Sequence, residues 1–191
     1  EVVQNVLDNR RKGDSGEYVG PAEVEFQLID VPVDEIPGVA RFRELFTACR
    51  DHVLSAYQGE DGAGNEAQFF AKGLDLLSAE TIPALRIRDL NTTGLEGGDD
   101  ERNSGFYRLV RGQGYSALQG ESCAGTYGIG QRAPFAHSDL RMIIYGSKTA
   151  DGSEVFAAKS ILASLPDPAS GGELTQNIGW WCVPTGGNWA S

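Results

Sequence analysis

Hydrophobic and polar positions change period several times along this chain, and each change marks an element. In EVVQNVLDNR (residues 1–10), Val2, Val3, Val6 and Leu7 gather on one side of a helix and Glu1, Asn5 and Asp8 on another. Residues 11–20 are polar and contain glycine, a loop. Val24, Phe26 and Leu28 then alternate with polar neighbours, the period of a half-buried strand. A Pro/Asp-rich connection leads to residues 40–57, where Phe42, Leu45, Phe46, Cys49, Val53 and Leu54 take helical spacing. The run QGEDGAGNE breaks that helix, and a second is predicted over residues 67–79 with Phe69, Phe70, Leu74 and Leu77. Pro83 precedes a short strand, residues 84–88, whose Leu85 and Ile87 are expected to point inward.

From residue 91 to 130 the chain is rich in Gly, Ser, Thr and Asn, with one short apolar stretch near Phe106–Val110. Such length without a period predicts a functional loop or lid. Strands follow at residues 140–145 and 155–163 with a turn at Asp151-Gly152. The tail, residues 167–191, has three tryptophans and no clear period. The expected fold class is α+β: a two-layer sandwich with helices on one face of a mixed, mostly antiparallel sheet.

Composition narrows the function. With 191 residues, 40% apolar and 23% charged, the chain suits one domain with a sizeable core. No apolar run approaches the roughly 18 residues of a membrane helix. The opening at Glu1, without a basic leader before an apolar stretch, does not read as a signal peptide. Cys49, Cys123 and Cys182 are odd in number, widely spaced and without zinc-like spacing, so they read as buried or idle thiols in a reducing cytoplasm. A net charge of −11 repels nucleic-acid backbones and argues against direct nucleic-acid binding. A nucleotide is not excluded, because Mg²⁺ and backbone N–H groups can hold its phosphates.

Three short constellations carry candidate chemistry. Glu1, Asn5 and Asp8, at i, i+4 and i+7, share a helix face. An amide oxygen suits Mg²⁺, and a carboxylate beside it can orient or deprotonate an attacking water. A solvated polar helix face fits the same pattern. Next, a strand ends in Asp89, and Asn91, Thr92, Thr93, Gly94 and Leu95 follow. A strand-end acid can accept a hydrogen bond from an exocyclic amine, Gly94 permits close backbone approach, and Leu95 can wall a flat ring. An Asx-turn closing the strand is the alternative. Third, Gly125, Thr126, Tyr127, Gly128, Ile129, Gly130 and Gln131 spell G-x-x-G-x-G plus an amide. Successive N–H groups there can converge on an anion, and residues 132–138 can begin a helix behind them. A structural glycine-rich loop remains open as well. His52 reads as a surface histidine on a helix and His137 as a packing residue. Trp180, Trp181 and Trp189 read as closing the core beneath the tail.

In this order the three constellations resemble the GHKL, or Bergerat-fold, ATPases. The superfamily includes gyrase-type topoisomerases, a heat-shock chaperone, sensor histidine kinases and DNA-repair proteins. The texture is closest to bacterial chaperone-like ATPase modules reading D-x-N-T-T-G-L, then G-x-F-G-I-G-K, then A-P-F-A-x-S. Here the last two read GTYGIGQ and APFAHS. The resemblance implies a Bergerat-fold domain over residues 1–191, a cytoplasmic module of a larger protein. It further implies that the domain binds ATP with Mg²⁺, hydrolyses it slowly, and couples lid closure or homodimerisation to an attached effector. A domain that senses nucleotide without turnover is the second reading. By position, Glu1 would be the general base and Asn5 the Mg²⁺ ligand. Asp8 and Lys12 would line the nucleotide, and Asp89 would meet the adenine amine beside Gly94 and Leu95. Gly125–Gly130 would form the lid, and Ser160 would face an adenine-bound water. Two departures stand out: Asn91 replaces an expected glycine, and Gln131 replaces a lysine.

Overall fold

The two strongest helical periods fold close to where the pattern puts them. In this computed structural model, residues 3, 6–7, 9–56, 63–97, 104–111, 133–167 and 170–181 are described. Helix α1 runs Val39–Ala56 and α2 runs Ala63–Leu77. On α1, Phe42, Phe46, Cys49 and Val53 are buried, an i, i+4, i+7, i+11 stripe facing one way. α2 answers with Ala67, Phe70, Gly73 and Leu77. Rings meet edge to face between them, Phe46 against Phe70 at 5.4 Å between centroids. Gly73 permits this approach, because a Cβ there would fall inside the space of the Phe46 ring.

The remaining elements are β1 (Glu23–Pro32), a 3₁₀ turn (Val33–Glu35), β2 (Thr81–Leu90), α3 (Gly105–Val110), α4 (Ala133–His137), β3 (Met142–Lys148), β4 (Glu154–Ile161) and β5 (Ile178–Trp181). Among the described residues the strands make two sheets, β1-β2 and β3-β4-β5. The fold is α+β. No helix of the described residues is long and apolar enough to cross a membrane.

The described residues divide into two compact units. One takes those of Glu1–Ile29, Ala84–Pro134 and Ile144–Ala157, the other those of Asp30–Pro83, Phe135–Ile143 and Ala158–Ser191. The second unit holds the larger core, built on the α1/α2 stripes with Val33, Ile36, Ile82, Leu140 and Leu162. There β5 pairs antiparallel with β4, Ala158 opposite Trp181, and the Trp181 ring stands edge-on to Phe42 at 4.7 Å. A strand therefore forms in the tail where the sequence has no clear period, and Trp181 packs on the core. Trp189, Cys123 and Cys182 lie outside the described residues. Arg141, at φ +45°, clamps the Glu66 carboxylate at 2.5 and 3.0 Å while its guanidinium lies 4.0 Å over the Phe69 ring. Cys49 is buried, and burial pushes its thiol pKa up, as befits an inert core thiol.

In the first unit Val6, Phe106, Val110 and Ala157 are buried. The apolar stretch at residues 106–110 is the helix α3, capped by Ser104, whose Oγ accepts from the Tyr107 N–H at 3.0 Å. Its β1-β2 ribbon departs from expectation. Phe26, Leu28, Leu85 and Ile87, predicted to point inward, are 56%, 80%, 58% and 41% exposed. Alternation separates the two faces of the ribbon correctly: Arg88 pairs with Glu25 at 2.7 Å and Arg86 donates to Gln27 on the polar one. Burial of the other face needs a second layer, which a two-stranded ribbon does not supply. β2 also starts at Thr81 rather than after Pro83. A two-stranded ribbon leaves each strand an unpaired edge, where a proline costs no ladder bond.

Candidate functional site

The candidate site is built around the turn that follows β2. Asp89 is the penultimate residue of that strand, and its Oδ2 accepts from the Thr92 hydroxyl at 2.6 Å. Thr92 thereby fixes the carboxylate and leaves Oδ1 without a partner among the described residues, on an exposed side chain. An acceptor held in this way suits an N–H₂ donor from outside. Asn91 lies at φ +59°, in the left-handed region, and its Nδ2 donates to the Pro21 carbonyl at 2.9 Å. Asparagine is the side-chain-bearing residue that enters this region most readily, so it meets the backbone requirement a glycine would meet.

The turn is held on two sides. In front of it runs the segment that leaves the N-terminal helical turn. Thr93 N–H donates to the Asn9 carbonyl at 2.9 Å, Arg11 N–H donates to the Asn91 carbonyl at 3.2 Å, and Arg10 bridges Thr92 antiparallel. Behind it stands the end of β3. The Leu95 N–H donates to Ser147 Oγ at 2.7 Å. At Gly94, φ +73°, an added Cβ would come within 3.1 Å of both the Lys148 carbonyl and Ser147 Oγ. Only glycine combines that dihedral with that contact. The Leu95 side chain, half-buried, lies beside Gly105 at the start of α3, whose Cβ position is 3.7 Å from Leu95 Cδ2.

Residues 10–19, in the stretch read as a loop, form a hairpin closed by Lys12 and Tyr18 as an antiparallel bridge and by the Val19 N–H donating to the Arg11 carbonyl at 2.9 Å. Arg10 stacks 3.7 Å over the Tyr18 ring and the Lys12 ammonium lies 5.5 Å from the same ring. Lys12 is engaged by the hairpin's own aromatic.

Of the residues singled out from sequence, Asp89, Asn91, Thr93, Gly94 and Leu95 share this one turn, and Lys12 follows directly on the segment, residues 9–11, that borders it. Glu1, Asn5 and Asp8 lie outside the described residues, as do Gly125, Thr126, Tyr127, Gly128, Ile129, Gly130 and Gln131. Ser160 belongs to the second unit. It is fully buried on β4, and its Oγ has no hydrogen-bond partner among the described residues. His137 ends α4, a helix of only five residues, and is exposed; His52 is half-buried on α1. Ser147 was invisible to sequence reasoning. Its one trace is a hydroxyl at the end of an alternating strand, and the amide it receives is 52 residues away.

No family model matches the chain, and no curated protein or solved structure matches it either.

Proposed function

We propose that the chain is a GHKL-type, Bergerat-fold ATP-binding module that hydrolyses ATP slowly with Mg²⁺ and passes lid closure or dimerisation to an attached effector. One observation supports this reading above the others. The backbone that leaves the Glu1/Asn5/Asp8 segment is stitched, through Asn9, Arg10 and Arg11, onto the Asp89–Leu95 turn. Residues 9–11, which follow the first motif directly in sequence, therefore border the second some eighty residues on, an arrangement that favours a shared nucleotide site. In this reading Asp89 Oδ1 takes the adenine amine, Gly94 and Leu95 flank the base, Asn5 holds Mg²⁺, and Glu1 activates water. Residues Gly125–Gly130 cover the phosphates.

A sensor that binds ATP without turnover is favoured by Gln131, which replaces a cation where transition-state charge develops. The two separate in one set of measurements: ATP and GTP titrations with and without Mg²⁺, then phosphate release for the native protein and Glu1→Gln. Hydrolysis abolished by Glu1→Gln supports the ATPase, and tight binding without release supports the sensor. Asp89→Asn is expected to weaken ATP by about tenfold or more, the worth of a charge-assisted hydrogen bond. Unchanged ATP affinity in that variant would remove Asp89 from the pocket.

A further inference from the structure

We infer that Ser147 is a positioning residue that sets base selectivity by fixing the rear of the Asp89–Leu95 turn, an inference that rests on the ATP reading. Three contacts carry it. Ser147 Oγ accepts the Leu95 N–H at 2.7 Å, shorter than the Thr93 to Asn9 bond at 2.9 Å and the Arg11 to Asn91 bond at 3.2 Å. The same oxygen lies 3.1 Å from the position a Gly94 Cβ would take, with the Lys148 carbonyl at the same distance. The turn therefore rests directly on the end of β3 at two consecutive residues. Its front is tied independently, by Thr92 on Asp89 and by Asn9 on Thr93.

A base reader needs both ends. Asp89 supplies the acceptor, while Gly94 and Leu95 set how far and at what tilt a ring can lie from it. If only the front is tied, Asp89 still attracts a donor, but the ring is no longer held in register with it. Adenine and guanine differ at that edge by an amine against a carbonyl, so a loosened rear costs discrimination more than it costs binding of the triphosphate. Ser147 touches neither ligand nor reacting atoms; it acts through Leu95 and Gly94. The β3-β4 turn is itself braced, by Lys148 to Glu154 at 2.7 Å and by the Thr149 N–H donating to the Ser153 carbonyl at 3.0 Å. That gives the hydroxyl a fixed platform.

The test uses Ser147→Ala, Ser147→Cys (near-isosteric, with a poor acceptor) and Ser147→Thr, which retains the hydroxyl. The whole chain is used throughout. Two quantities are read: hydrogen-exchange protection of the Leu95 amide without nucleotide, and the ratio of ATP to GTP affinity. The expected result is loss of Leu95 protection and a fall of about three- to tenfold in the ratio for Ala and Cys, matching one hydrogen bond. Ser147→Thr is expected to restore both in part, and the Cys variant keeps the test valid if Ala fails to fold. Unchanged Leu95 protection in Ala and Cys overturns the clamp whether or not ATP binds. Lost protection with an unchanged ratio overturns the positioning role and leaves the ATP reading standing. A native protein that protects Leu95 but does not bind ATP overturns both the ATP reading and the role built on it.

Discussion

Asn91 meets with a side chain the left-handed backbone demand that Gly94, in the same turn, meets without one. At φ +59° any β-carbon is strained, and asparagine tolerates the strain better than other side chains. Asn91→Gly removes both the strain and the bond to the Pro21 carbonyl; Asn91→Ala removes the bond and keeps the strain. The difference between the two variants therefore isolates conformation. Alanine is expected to be less stable than glycine by about 1–2 kcal/mol, measured by denaturant unfolding. Equal stabilities would mean that the turn relaxes out of the left-handed region. At this scale the sequence was informative wherever chemistry is local. Asp89, Asn91 and Gly94 could be singled out because a strand end, an Asx residue and a glycine announce a turn by themselves. Ser147 could not, since its role exists only once two distant segments meet.

Among elements, helices α1 and α2 were legible because a 3.6-residue period needs nothing beyond its own stripe. Strand faces were legible too, but not their burial. Phe26, Leu28, Leu85 and Ile87 alternate as a core-facing set does, and alternation is silent on whether a second layer lies over it. The helix pair offers a direct test. Gly73→Ala places a methyl group into the Phe46 ring and is expected to cost about 1–3 kcal/mol by overpacking, despite alanine's better helix propensity of about 1 kcal/mol. A stabilised variant in thermal unfolding would show that the helices separate freely. The β3-β4 turn gives a second test. Thr149 donates to the Asp151 carboxylate, and the Ser153 N–H donates to it at 3.0 Å, so its pKa lies below the ordinary 3.8. A depressed carboxyl stabilises the turn fully above that ordinary value, and the contribution is lost as pH falls through the lower, folded-state one. The Ser153 amide shift is expected to titrate with a midpoint below 3.8 in acid-titrated NMR spectra, and Asp151→Asn to remove that step. A midpoint at or above 3.8 would contradict the hydrogen-bonded turn.

For the whole molecule, the α+β class followed from counting periods, whereas the partition into two compact units did not. Units of this kind are interleaved in sequence, each gathering three stretches of chain, and no composition shift marks their borders. The long Gly/Ser/Thr/Asn-rich region was likewise legible as a departure from periodicity but not as the helix α3 within it, because six residues are too few to establish a period.

The bare face of the β1-β2 ribbon also governs how the protein behaves as a colloid. A charge of −11 keeps copies apart near neutral pH in spite of Leu28 at 80% exposure. That protection vanishes near the isoelectric point of about 4.6. Light scattering is therefore expected to peak there, and to rise further with salt at neutral pH as the repulsion is screened. Leu28→Lys, which interrupts the apolar face, should flatten the salt response. An unchanged response would assign the attraction to another surface. Storage away from mild acid and high salt follows from one ribbon with an uncovered side.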